Sequence, residues 1–160
     1  MSQTVATALE TIRLILARHE EYRGRLNLPG EGWERAFRGW LAMDLLLQHF
    51  GWPTSRIVLG ERFDILLLDE GLAPAVTIET KGPHHEASQR ETEDFEARLP
   101  FYGTLRWAFF TNGEHWARLR LEAPKGIQTF AEKKTFSVEQ ATEKTAEAFF
   151  EVLKTSHFIV

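Results

Sequence analysis

The sequence predicts an α/β domain in which a mixed, mainly antiparallel central sheet is flanked by helices. Three observations carry that expectation. Residues 62–83 (RFDILLLDEGLAPAVTIETKGP) read as two strands, because an apolar run and an alternating run flank the break at Glu70-Gly71-Leu72-Ala73. Residues 105–121 (LRWAFFTNGEHWARLRL) read as a second hairpin about Asn112-Gly113, with positive φ expected at both central residues. Long segments before the first hairpin and after the second carry apolar residues at helical spacing.

Composition bounds what such a domain can do. A chain of 160 residues fits one domain with a proper core. Hydrophobic and charged fractions of 43% and 26% are those of an ordinary globular protein. No apolar run reaches the roughly 18 residues of a membrane span. The opening MSQTVATALE lacks the basic-then-apolar order of a signal peptide. Cytoplasm is the expected compartment. Absence of cysteine rules out a disulfide framework, a thiolate metal site and a thiol nucleophile. The net charge of −4 lacks the basic excess with which a protein grips DNA unaided. A DNA-directed role therefore needs basic residues gathered on one face, or delivery by another domain, subunit or protomer.

In chain order, Thr4 to about Arg23 predicts a helix with Val5, Leu9, Ile12, Leu16 and Tyr22 as its stripe. Arg13, Arg18, Arg23 and Arg25 are expected on its solvated side, with a phosphate-tracking patch as the alternative. After an Asn27–Gly32 loop, a second helix runs from about Glu31 to Phe50 with Trp33, Phe37, Trp40, Leu41 and Leu45 inward. Gly51 stops it and Trp52-Pro53 prevents continuation. Glu34 and Arg38 lie one turn apart on that helix. Ser55–Gly60 predicts a short strand and Gly60-Glu61 a turn into the first hairpin.

In that hairpin a turn on Gly71-Leu72 sets Asp69 opposite Pro74 and, counting outward, Asp64 opposite Glu79. Residues so paired lie about 4.5–5.5 Å apart at Cβ. Alternation puts Thr77, Glu79 and Lys81 on one face and Val76, Ile78 and Thr80 on the other. His84 and His85 read as loop residues, because adjacent histidines point apart and no zinc set surrounds them in the sequence. Glu86 to Leu99 predicts an acidic helix facing outward. Ile127–Phe130 is expected as a last edge strand. Ser137 with Gln140 predicts the capping box of a final helix packed through Ala141, Phe149, Val152 and Leu153. The apolar end Phe158-Ile159-Val160 reads as a docking segment or as the edge of a piece of a longer protein.

Asp64, fourteen intervening residues, then Glu79-Thr80-Lys81 resembles the catalytic core of the PD-(D/E)xK nuclease superfamily, with Phe63 where a proline often stands. Within that superfamily the order resembles the N-terminal nuclease domain of type I restriction enzyme R subunits. The helix pair Glu34 and Arg38, the glycine-tryptophan helix ending, and a strand closing in Thr-Asn-Gly before a tryptophan-bearing strand all match. The family's Gln-x-x-x-Tyr helix motif matches only in part. Tyr102 falls on the tyrosine, Arg98 replaces the glutamine, and Pro100 interrupts.

The resemblance implies a restriction-endonuclease-like fold and Mg²⁺-dependent hydrolysis of DNA phosphodiester bonds, in restriction or defence against foreign DNA. Two carboxylates and a carbonyl suffice for Mg²⁺, which keeps several waters. Asp64, Glu79 and the Thr80 carbonyl are the expected ligands, and Mn²⁺ is the expected substitute ion. Lys81 is expected to favour hydroxide and neutralise developing phosphate charge. Glu34 would hold a second ion or orient a metal-bound water. Arg38, Arg98 and Tyr102 are the expected nucleic-acid contacts. The expected partner is DNA, held by a homodimer or by a larger restriction-type protein. Two other classes share these residues: a catalytically silent nuclease-fold module that binds DNA or assembles, and an unrelated α/β interaction domain with a structural charge cluster.

Overall fold

The computed structural model describes residues 6–60, 63–122 and 129–155. It is a mixed α/β fold built on one open six-stranded sheet, with the strands in spatial order β1-β2-β3-β4-β5-β6. These are β1 Ile57–Leu59, β2 Ile65–Leu68, β3 Pro74–Thr80, β4 Trp107–Thr111, β5 His115–Glu122 and β6 Thr129–Ser137. All neighbours pair antiparallel except β3 and β4, which are parallel. A parallel pair needs a crossover, and here the crossover carries helix α3, Gln89–Arg98.

Helix α1 spans Ala8–Arg23, not from Thr4, because Thr7 and Glu10 form a reciprocal capping box. Val5 lies outside the described residues. The inward face carries Leu9, Ile12 and Ile15, while Tyr22 is exposed, contrary to its place in the expected stripe. Helix α2 spans Gly30–Trp40 and continues as a π-helix over Leu41–His49. Gly51 ends it at φ +77°.

Two apolar clusters sandwich the sheet. On one face Ile65, Val76, Ile78, Phe109 and Trp116 pack against α1, α2 with its π extension, and the last helix α4, Glu143–Phe150. On the other, Ala108, Leu119 and Leu121 meet Phe63 together with Phe95 and Leu99 of α3 and its end. Alternation along β3 thus divides Val76, Ile78 and Thr80 from Thr77 and Glu79 as expected.

Three local expectations are corrected. The second turn centres on Gly113-Glu114, since Asn112 N–H bonds to the His115 carbonyl at 3.3 Å and only Gly113 has positive φ (+93°). The Asn112 carboxamide oxygen instead accepts from the N–H groups of Glu114 and His115, at 3.0 and 2.8 Å. The last strand is β6, nine residues ending at Ser137, so Ser137 does not cap the final helix. Thr142 does, in a box with Thr145. Glu132, Lys133 and Lys134 are exposed on this edge strand, where charges discourage pairing with another chain and also erase the apolar period. Ile127, Glu61, Arg62 and Phe158–Val160 lie outside the described residues.

Candidate active site

The first hairpin brings its charged ends together. Ile65 pairs with Ile78 and Leu66 with Thr77, and Asp64, the residue before β2, meets the end of β3 through its side chain on Thr80, within electrostatic reach of Glu79. The one-residue shift between Leu67 and Leu68 lies toward the turn and leaves this end in register. The turn itself is held by Asp69, whose carboxylate accepts the Ala73 N–H at 3.0 Å. Beyond β3, the Lys81 N–H donates to the Thr111 carbonyl at 2.8 Å and extends the parallel ladder past Thr80. The backbone from Glu79 to Lys81 is thereby fixed against β4.

Asp64 is buried and well partnered. Its Oδ2 accepts from the Thr80 N–H at 2.8 Å and from the Thr80 hydroxyl at 3.0 Å, while Oδ1 meets Arg38 Nη2 at 2.8 Å. Arg38 comes from α2 and also lies 3.6 Å from Glu34, so its guanidinium links Glu34 to Asp64. Glu34, Asp64 and Glu79 do not converge as a three-ligand set.

Glu79 is placed differently. It is 5% exposed, on the α3 face. Its Oε1 lies 3.2 Å from Arg98 Nη2 and 4.0 Å from Lys81 Nζ, and its Oε2 is buried with no hydrogen-bond partner. Burial, then the Asp64 charge, push the Glu79 carboxyl above the ordinary glutamate range, against the opposing pull of Arg98 and Lys81. Asp64 thus has partners on both oxygens, whereas Glu79 has cations beside Oε1 and none at Oε2.

The comparisons with protein-family models, curated proteins and solved structures find no match.

Lys81 is flanked by a residue the sequence reading turned outward. Glu91 of α3 lies 3.5 Å from Lys81 Nζ and 2.9 Å from His85 Nε2, so α3 presents a carboxylate to the cluster as well as to solvent. Ser88 and Glu91 form the capping box that opens α3, and that Ser-x-x-Glu spacing was a signal in the sequence. Arg98 sits at the other end of α3, and the two arginines expected at DNA both lie on carboxylates. Tyr102 packs its ring on Phe63 with centroids 5.3 Å apart. Asn112 donates from Nδ2 to the His85 carbonyl at 2.8 Å, tying the second hairpin turn to the loop after Lys81.

No described helix is long and apolar enough to cross a membrane.

Proposed function

We propose that the chain is a metal-dependent endonuclease that hydrolyses DNA phosphodiester bonds, with a restriction-endonuclease-like fold and Asp64, Glu79 and Lys81 at its centre. The observation that carries this reading is the register of β2 on β3. It brings two buried acids to one sheet end, within electrostatic reach of each other, with a lysine two residues on and one acid oxygen unpartnered.

The residues fit a hard divalent cation. An orphaned buried carboxylate oxygen lacks a positive partner, and oxygen donors are what Mg²⁺ selects. Asp64 and Glu79 would hold the ion with the Thr80 carbonyl; when bound, it polarises phosphate and acidifies water. Thr80 and Arg38 hold both Asp64 oxygens in a fixed orientation. Lys81, 23% exposed at its side chain, offers an ammonium to phosphate and nucleophile, and Glu91 and His85 steady it from α3 and its approach. Arg38 and Arg98 offset the charge of the acids they contact and would turn toward phosphate once a cation shares that role. Net charge −4 fits a domain whose DNA is presented by another domain, subunit or copy.

Incubation with supercoiled plasmid in Mg²⁺, Mn²⁺ or EDTA tests the reading. Nicking is expected with either ion and none in EDTA. Asp64→Ala is expected to lose metal binding and cleavage together. Lys81→Ala should keep metal binding near wild type, since an ammonium does not ligate a cation, and lose about 10²-fold or more in cleavage. A folded Lys81→Ala protein that cuts at the wild-type rate would refute the site. DNA bound but never cut would favour the silent module.

A further inference from the structure

The nuclease reading leaves unused a second cluster, formed where the loop after Lys81 crosses α1. His19 and Glu20 project from α1 and His84 from the loop, and one donor atom of each lies within 4.8 Å of the other two. His19 is 3% exposed, and its Nδ1 is buried without a hydrogen-bond partner. That nitrogen lies 3.9 Å from Glu20 Oε1, which is itself in direct contact with His84 Nε2. Trp33 of α2 packs edge-on against the His19 ring at 5.1 Å and fixes its orientation. His19 and His84 line a cavity of about 290 Å³ with Trp33, Glu34 and Gly82.

An unpartnered ring nitrogen at this depth is uncommon, because buried polar atoms are almost always satisfied. Burial also holds His19 in its neutral, ligating form, lowering its pKa against the opposing pull of Glu20. We propose that His19 Nδ1, the Glu20 carboxylate and His84 Nε2 form a site for a borderline divalent transition metal of the zinc class, distinct from the Asp64–Glu79 pair.

The donor set selects the ion. Two imidazoles and one carboxylate suit Zn²⁺ and its first-row neighbours, whereas Mg²⁺ prefers oxygen alone. Three protein ligands leave a fourth tetrahedral position for water. Tetrahedral bonds of about 2.0–2.2 Å place donors roughly 3.4 Å apart, so His19 Nδ1 and Glu20 Oε1, now 3.9 Å apart, close in while Glu20 and His84, now in direct contact, part to admit the ion. Glu20 and His84 are free to do so, with side chains 55% and 54% exposed. Arg23, 3.6 Å from Glu20 and 56% exposed, turns away into solvent as the ion replaces it. The bound ion staples the Gly82–His85 loop to α1, three residues beyond Lys81, and so lends rigidity to the strand end that carries the lysine.

Co²⁺, a coloured stand-in for Zn²⁺, tests this on EDTA-stripped full chain. One equivalent is expected to give the visible absorption of a tetrahedral ion, to resist excess Mg²⁺, and to be displaced by Zn²⁺. His84→Ala should weaken Co²⁺ binding by more than the roughly 10–100-fold cost of losing a mere outer-sphere partner. His19→Gln, with folding checked by circular dichroism, should do the same, while His85→Ala and Asp64→Asn should bind as wild type. Absence of the tetrahedral spectrum, affinity unchanged in His84→Ala, or affinity lost in Asp64→Asn would each overturn the proposal. Because Asp64→Asn removes the nuclease centre and leaves these donors untouched, failure of either reading is told apart from failure of the other.

Discussion

Replacing Glu79 with glutamine is expected to stabilise the metal-free protein while destroying the proposed site. Glu79 is 5% exposed, faces the charge of Asp64, and leaves Oε2 without a partner. Glutamine still leaves a polar atom unpaired there, so the relief is that of the charge alone, the amount by which an unpaired charged group exceeds the roughly 1–3 kcal/mol of a neutral one. Against that relief, the contact of Oε1 with Arg98 at 3.2 Å weakens from an ionic to a neutral one, a loss of about 1 kcal/mol. The raised carboxyl titration decides the sign, since it means the surroundings disfavour the charged form overall. A net gain on the order of 1 kcal/mol is expected, or about 2–4 °C in Tm for a chain of this size.

The pH dependence follows from linkage. A raised folded pKa means the native state binds more protons between the ordinary value of 4.5 and the raised one. Wild-type stability from this group is thus full below 4.5 and falls as pH rises through the raised value. The advantage of Glu79→Gln should appear at neutral pH and vanish below 4.5, where the wild-type side chain is also neutral. Urea unfolding followed by circular dichroism in EDTA at both pH values measures this. Adding Mg²⁺, which the His19–Glu20–His84 donors do not select, should reverse the order, because only the wild type gains RT ln(1 + [L]/Kd). A variant less stable than wild type at neutral pH in EDTA would refute the account of Glu79 as an under-compensated charge.

Gly113→Ala should lose about 2–4 kcal/mol in urea unfolding, because its Cβ meets Leu16 Cδ2 at 2.8 Å and the Phe37 ring at 3.0 Å, at φ +93°. A loss too small to measure would mean the hairpin slides off α1 and α2 freely. Leu72→Gly, at φ +64° and 63% exposed, should gain up to about 1 kcal/mol by the same measurement. Arg98→Gln removes the guanidinium beside Glu79 and raises that carboxyl further, so its loss of stability should be larger at neutral pH than below 4.5. Equal losses at the two pH values would make Arg98 a packing residue alone.

What was legible in the sequence were the features fixed by short-range alternation. The strand pair, the antiparallel register that lays Ile65 on Ile78, and the division of β3 between two faces follow from a two-residue period and one turn. Gly51 and the helix stripe of Phe37, Leu41 and Leu45 follow from the helical period in the same way. Features decided by tertiary contact were not legible. The exposed charges of β6 hide a strand that exists because β5 needs a neighbour. The inward turn of Glu91 depends on the crossover that lays α3 beside Lys81. His84 was read as a loop residue from its neighbour alone, but its partners His19 and Glu20 lie on α1, more than sixty positions earlier. Local geometry says nothing of such a crossing.

The two acids of the proposed centre differ in a way that bears on how it would work. Asp64 receives two hydrogen bonds from Thr80 and an ion pair from Arg38, so its orientation is set before any ligand arrives. Glu79 receives Arg98 on one oxygen and nothing on the other. A cation entering between them therefore gains most from Glu79, and gains little from reorganising Asp64. Arg38 and Arg98 hold opposing carboxylates apart from open repulsion in the meantime. Once a cation shares that neutralising role, each guanidinium has charge to spare for a phosphate. In the proposed nuclease the same two arginines serve both states, which reconciles their grip on the acids with a role toward DNA. The metal dependence of DNA binding measures this coupling. Arg38→Ala should weaken DNA binding more in Ca²⁺, which occupies oxygen sites, than in EDTA, where Arg38 is already engaged by Asp64 and Glu34. Equal weakening in both conditions would separate the arginine from the metal site and break the link argued between them.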